Sequence, residues 1–285
     1  MKRLLGIFAA ALFVAGAANS EPQRIIIAGG DLTEIAFDLG VGDRVVGVDQ
    51  TSLYPPEATE LPQIGYVRRL TAEGVLSLKP DLVLAADDAG PDIALEQLRA
   101  SGVAVAQAPE TPTPADIAEK IRFVGETLGL RSAANDMAES FSKQLKDVLS
   151  KVARLPEKPR VLFILTVRGG APLVGGRNTS AHVIMEAAGA ENVAASFEGF
   201  KPMNQEAIIS AAPDAILMMT QHAERAGGIE TLAARPEIAL TPAGQNKRFV
   251  TMDGLFLLGF GPRTPDAIAE LASALQPTAA AAEGL

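Results

Sequence analysis

Few side chains in this sequence can do chemistry. Its 285 residues include two tyrosines, two histidines, no tryptophan and no cysteine. Tyr66 lies in the run Ile64-Gly65-Tyr66-Val67-Arg68-Arg69-Leu70. A phenolate is a hard anionic donor that suits ferric iron, and tyrosine is one of the side chains that ligate haem iron axially. A free phenol titrates near ~10, so it needs help to ionise. A guanidinium two residues on, Arg68, favours the charged form, and Arg69 does so less directly. Arginines also hold carboxylates in bidentate fashion. Arg168, Arg177 and Arg225 fall in loops of the second half and could hold the acidic groups of such a ligand. The same run also fits a plain loop, with a half-buried tyrosine beside a solvated arginine pair. Residue types alone leave both readings open.

Enzyme chemistry is poorly supplied. The two histidines, His182 and His222, have no Gly-x-Ser-x-Gly elbow to serve. Gly169-Gly170 and Gly175-Gly176 lack the spacing of a dinucleotide-binding loop. Asp87 and Asp88 are adjacent after a strand and read as solvated. Zinc or manganese cargo needs several histidine and carboxylate ligands, which two histidines do not provide. Missing cysteine excludes disulfides, thiolate metal sites and a cysteine nucleophile. A binding protein is therefore expected, not an enzyme. The formal charge of −9 argues against nucleic acid as a partner.

The N-terminus reads as an export signal over residues 1–20. Met1-Lys2-Arg3 is its basic start, Leu4 to Val14 its apolar run, and small residues around Ala17 to Ser20 its cleavage region. The alternative is an anchor that stays in place. With no cysteine to carry a lipid, the expected location is the periplasm.

The elements that would position these residues alternate. Arg24 to Ala28 is a short buried-strand pattern, and Val45 to Val48, Leu82 to Ala85 and Val103 to Val105 are short apolar runs that predict further strands. Helical stretches, Thr33 to Leu39 and Asp92 to Ala100 among them, lie between them. Residues 131–154 break this rhythm, with no Gly or Pro and with Met137, Phe141, Leu145, Val148 and Val152 on one helical face. They predict a rod of about 36 Å. Alternation then resumes with Val161 to Leu165, Ala215 to Met219 and Arg248 to Thr251, and a helix from Asp266 to Leu275 closes the chain.

The halves echo each other. Thr71 to Leu84 aligns without gaps on Asn204 to Leu217, which pairs Glu73 with Glu206 and Pro80-Asp81 with Pro213-Asp214. Each copy reads as cap residue, short helix, Pro-Asp turn and buried strand. A looser echo sets Gly29-Gly30-x-x-Thr33 against Gly175-Gly176-x-x-Thr179. The predicted fold is α/β: two similar lobes with mostly parallel sheets, joined by one long rigid helix, with a ligand cleft between the lobes. The N-terminal lobe spans 23–130, the helix 131–154 and the C-terminal lobe 155–278, with a frayed tail at 279–285.

Asp49 to Pro56, Leu61 to Leu78, Thr241 to Arg248 and Leu257 to Arg263 together resemble the periplasmic haem-binding proteins of bacterial ABC haem importers. These are the HmuT-type members of the helical-backbone (class III) binding proteins. The resemblance runs from about residue 23 to 275. The superfamily also carries cobalamin and ferric siderophores, which remain the alternative cargoes; an exported enzyme is a more distant one. The resemblance implies that Tyr66 is the axial ligand of ferric haem iron and that Arg68 hydrogen-bonds its oxygen. It implies docking through Glu73 and Glu206 onto arginines of a permease dimer with its ATPase. Haem would arrive by way of an outer-membrane receptor system, and the protein is expected to be a monomer. Some members use a second-lobe histidine. Neither histidine here matches that position by sequence; His222 follows a strand and is kept as the candidate for it, whereas His182 is read as structural. Met218 and Met219 are read as core. Leu53, Phe197, Phe200, Phe256 and Phe260 are the apolar residues expected to cover a porphyrin.

Overall fold

The computed structural model describes residues 21–167 and 170–276. The expected signal (1–20), Arg168 and the expected tail (279–285) lie outside these residues. In the first lobe the order is β1 (Ile25–Ala28), α1 (Gly30–Asp38), β2 (Val45–Val48), α2 (Ala72–Ser77), β3 (Leu82–Ala85), α3 (Asp92–Ala100), β4 (Ala104–Gln107) and α4 (Ile117–Thr127). Its sheet runs β2-β1-β3-β4, all parallel. Branched apolar residues buried on both faces suit such a sheet, and every residue of β1 and β3 is buried.

Helix α5 (Arg131–Val152) leads out of this lobe. Its buried stripe is Ala134, Ala138, Phe141, Leu145, Val148 and Val152, a repeat of four and three residues that keeps one face inward. Met137 lies at the margin, partly buried. The 22 residues extend about 33 Å.

The second lobe contains β5 (Arg160–Thr166), β6 (Leu173–Gly175), α6 (Ser180–Ala187), β7 (Glu191–Asn192), β8 (Phe200–Pro202), α7 (Gln205–Ala211) and β9 (Ala215–Met219). Then come α8 (Thr220–Arg225), α9 (Gly228–Ala233), α10 (Pro236–Ala239), α11 (Pro242–Gln245), β10 (Phe249–Met252), α12 (Gly254–Leu258) and α13 (Thr264–Leu275). Strands β5, β9 and β10 are parallel, in the order of β1, β3 and β4. On the other side β6 and β8 add an antiparallel edge, and β7 pairs with the start of β5. This sheet is therefore mixed. Strands β6, β7 and β8 are three residues or fewer, too short to show a period in sequence.

The repeated segment has a physical basis in both lobes. Thr71 and Asn204 cap α2 and α7 through side-chain oxygens that accept from Gly74 and Ala207 N–H. Asp81 then accepts from Gln23 and Arg24 N–H, and Asp214 from Arg160 N–H, which anchors the first strand of each lobe. Arg24 and Arg160 in turn donate to carbonyls at the ends of α2 and α7. The looser glycine echo is not a structural repeat. Thr33 lies inside α1 after a parallel strand, whereas Thr179 caps α6 after the antiparallel β6.

One apolar core runs from the first sheet through α5 to α13, α6 and one face of the second sheet. A second cluster fills the other face of that sheet. The lobes thus share a packed interior, and α5 is a strut in it. Among the described residues no helix is long and apolar enough to cross a membrane.

Helices α4 and α5 pack closely at Gly125. A Cβ there would lie 2.0 Å from Ala134 Cβ. Gly125→Ala is expected to destabilise the fold by about 1–3 kcal/mol through overpacking. Thermal unfolding followed by circular dichroism should show a fall in Tm of ~2–4 °C per kcal/mol.

Candidate functional site

Parallel strands collect functional loops at their carboxyl ends. In the first lobe these ends deliver Gly29, Asp49, and Asp87-Asp88. The segment bearing Tyr66 is bound onto this edge by main-chain bonds. Gln50 N–H donates to Gly65 O, Gly90 N–H to Val67 O, and Leu70 N–H to Gly90 O. Gly65 has φ +97°, a left-handed turn that glycine makes without strain and that sends the chain into Tyr66.

Tyr66 is half-buried and Arg68 is exposed. Arg68 Nη1 donates to Tyr66 Oη at 2.8 Å. The rest of the guanidinium is held by Asp88: Nε donates to Oδ2 at 2.7 Å and Nη2 makes a closer contact with the same oxygen. Burial works against the Arg68 charge, but Asp88 and then Tyr66 outweigh it and raise its pKa. A permanently charged guanidinium therefore faces the phenol oxygen, oriented by a carboxylate. Asp88 escaped the sequence reading because an exposed adjacent acid pair looks solvated; only the fold brings it back across 20 residues to Arg68.

In the second lobe the carboxyl edge carries Val167, His222 and the segment from Asp253 to Arg263. His222 Nδ1 hydrogen-bonds Leu165 O. A carbonyl only accepts, so Nδ1 carries a proton and Nε2 is the ring nitrogen left without a partner from Leu165. His182 contacts Asn192 and Glu186 within its own lobe.

The two edges meet. Arg263 forms a fork with Glu34 of α1, Nε to Oε2 at 3.0 Å and Nη2 to Oε1 at 2.6 Å. Its guanidinium stacks 3.7 Å from the centroid of Tyr54 and lies 5.1 Å from that of Phe256. Lys120 of α4 pairs with Asp31 and donates to Phe260 O at 3.1 Å. These residues, with half-exposed Tyr54 and exposed Leu53, make the junction of the cleft. Sequence reasoning missed Glu34, Lys120 and Arg263, whose partners lie 89 to 229 residues away.

The other sequence candidates divide. Arg69 and Arg225 are exposed. Arg177 is not turned to the Tyr66 edge: it donates to Ala195 O at 2.9 Å and pairs with Glu198 at 3.5 Å, both in its own lobe. Glu73 and Glu206 are exposed in the first turns of α2 and α7. Leu53 and Phe200 are exposed and Phe256 is half-buried. Phe260 is a correction, for it is only 5% exposed in the core and cannot cover a ligand. Met218 is core. The described residues contain no group of three or more His, Asp or Glu placed to hold a bare metal ion.

The family described as periplasmic binding protein matches residues 25–254. The periplasmic heme-binding protein RhuT from Roseiflexus sp. RS-1, solved in apo form, is 41% identical, with a TM-score of 0.86 over 91% of this chain and 99% of that one. An uncharacterized ABC transporter substrate-binding lipoprotein, YvrC of Bacillus subtilis, is 30% identical over 91% of this chain and 82% of its own length. The vitamin B12-binding protein of Vibrio parahaemolyticus is also 30% identical, over 89% of this chain and 90% of its own.

The lobe-bridging pair responds to pH. Burial pushes the Glu34 carboxyl up, and its bonds to Arg263 only partly offset this. Arg263 shows the opposite balance, since burial opposes its charge but Glu34 outweighs the burial. The Glu34 direction governs, because its side chain is 3% exposed against 27% for Arg263. Unfolded, Glu34 titrates near 4.5. As pH rises above that value the unfolded chain loses its proton first, so stability falls until the folded carboxyl ionises. Glu34→Gln lacks this response. Melting curves from pH 7 down to 4.5 should move the stability difference in favour of the wild type, by about 1.4 kcal/mol for each unit that folding raises the pKa.

Proposed function

This chain belongs to the periplasmic binding protein family, and we propose that its cargo is haem, held through Tyr66. It is an extracytoplasmic solute-binding protein of the ABC-transporter type, not an enzyme. The observation that carries the haem reading is the 2.8 Å bond from Arg68 to Tyr66 Oη, with Asp88 fixing the guanidinium. A phenol in that setting is prepared to bind ferric iron as phenolate, because the charge it acquires faces a cation that cannot deprotonate. The 41% identity with a heme-binding protein supports the same reading.

Haem enters the cleft where the two carboxyl edges face each other. Tyr66 ligates ferric iron, and Arg68 stabilises the phenolate. Leu53, Tyr54 and Phe256 offer apolar surface to the porphyrin. His222, whose Nδ1 is taken up by the Leu165 carbonyl, offers Nε2 as the second-lobe contact. Arg69 and Arg225, exposed and charged, are left for the propionates; Arg168 shares that assignment. Arg177 is assigned only if its link to Glu198 opens. The loaded protein then docks through Glu73 and Glu206, one carboxylate per lobe at a helix start, onto basic residues of a permease whose ATPase drives uptake. Release follows if the permease favours a state of the lobes that binds haem less well. Cobalamin is the second reading, supported by the 30% identity with a vitamin B12-binding protein.

Hemin added to the purified protein is expected to give a high-spin ferric spectrum with a tyrosinate charge-transfer band. Tyr66→Phe should abolish the band, and Arg68→Ala should weaken affinity by about 10–100-fold, the usual cost of losing a partner that orients a metal ligand. An unchanged spectrum in Tyr66→Phe, or tight cobalamin binding in calorimetry without hemin binding, rejects the assignment. For docking, Glu73→Ala with Glu206→Ala should leave the hemin spectrum intact and reduce haem-dependent growth. Full growth of a strain carrying that double variant counts against the docking role.

A further inference from the structure

Asp49 directly follows β2 and is fully buried, with no cationic partner among the described residues. A carboxylate in that position must be satisfied by hydrogen bonds. Oδ1 accepts from Gly29 N–H at 3.0 Å and from the Ser52 hydroxyl at 3.0 Å. Oδ2 accepts from Thr51 N–H at 2.9 Å and from Val67 N–H at 3.2 Å. The Thr51 hydroxyl lies 2.9 Å from both oxygens.

These donors come from three separate segments, and each carries a cleft residue. Gly29 precedes α1, whose Asp31 and Glu34 meet Lys120 and Arg263. Thr51 and Ser52 begin the loop that places Tyr54 under Arg263. Val67 follows Tyr66 directly. Secondary links reinforce the knot: Gly30 N–H donates to the Thr51 hydroxyl at 3.0 Å, and the Ser52 and Thr33 hydroxyls are 2.8 Å apart.

We infer that Asp49 is a positioning residue for the cleft, whose carboxylate sets the Tyr66 segment, the Tyr54 loop and α1 relative to one another. Its functional consequence rests on the haem reading; the placement of Tyr66 does not. The charge state matters because main-chain N–H groups approach both oxygens. A carboxylate accepts from all of them, whereas an amide must turn its NH2 toward one set. Asp49→Asn therefore opposes donor to donor at a fully buried site, and the three segments cannot all keep their places.

The two tyrosines allow a direct test on the apo protein. Tyrosine labelled with 13C at Cζ gives two resonances, and Tyr54→Phe identifies that of Tyr66. Arg68→Ala marks its position when the phenol has lost its partner. Asp49→Asn is expected to move the Tyr66 resonance toward that position while the protein still melts cooperatively. Ser52→Ala removes a single donor and should give a smaller shift in the same direction; it decides the matter if Asp49→Asn does not fold. Leu98→Ala, a buried α3 residue outside the knot, controls for lost stability and should leave the resonance in place. With hemin, Asp49→Asn should weaken binding at least tenfold and diminish the tyrosinate band. An unmoved Tyr66 resonance in a folded Asp49→Asn protein, or an equal shift in Leu98→Ala, overturns the inference. A shifted apo resonance in a protein whose wild type gives no tyrosinate band rejects the haem reading and leaves the positioning role standing.

Discussion

The packing of α5 is the constraint on which the cleft depends. Its stripe from Ala134 to Val152 is buried in a core that continues into both lobes. Burying large apolar side chains such as Phe141 and Leu145 contributes about 1.5–3 kcal/mol each. Swinging one lobe away from the other would expose part of that stripe. The carboxyl edges of the two sheets are therefore held facing each other. A packed strut of this kind limits how far the lobes can swing.

Electrostatics refine what packing sets. Arg68 is shared between a phenol and a carboxylate: Asp88 fixes its position, and Nη1 donates to Tyr66 Oη. The bridge between Glu34 and Arg263 has a different character. The Glu34 carboxyl is held above its usual range because burial outweighs the nearby guanidinium. A pair of this kind adds little net stability, since desolvating two charges offsets their attraction. What it does provide is directional: a planar fork on α1 and a stack on Tyr54 hold one relative arrangement of the lobes. Lys120 adds a second link of the same sense, from Asp31 to the Phe260 carbonyl.

Much of the scaffold was legible from residue order. Strands β1, β3, β5 and β9 are apolar runs bounded by turns, and α5 is a long apolar stripe without a breaker. The repeat was legible because cap, helix, Pro-Asp turn and strand are local, and Asp81 and Asp214 perform the same task in each lobe. The β6 and β8 edge was not, because three-residue strands have no period to read. Phe260 looked available for a ligand because aromatic type says nothing about exposure; its chain turns at φ 53° and places it in the core.

By itself, the sequence determined the two α/β halves and the strut between them, because each depends on neighbours within a few residues or on a repeat of period; it set Arg68 two residues from Tyr66 but left open whether the two pair. Tertiary structure alone decided that Asp88 orients Arg68, that Asp49 gathers three segments, and that Glu34 and Lys120 meet Arg263 and Phe260. The reason is physical. An acid or a base in a sequence carries no mark of its partner, since such bonds form between any two elements the core brings together. Burial then decides which of those charges are paired and which face water.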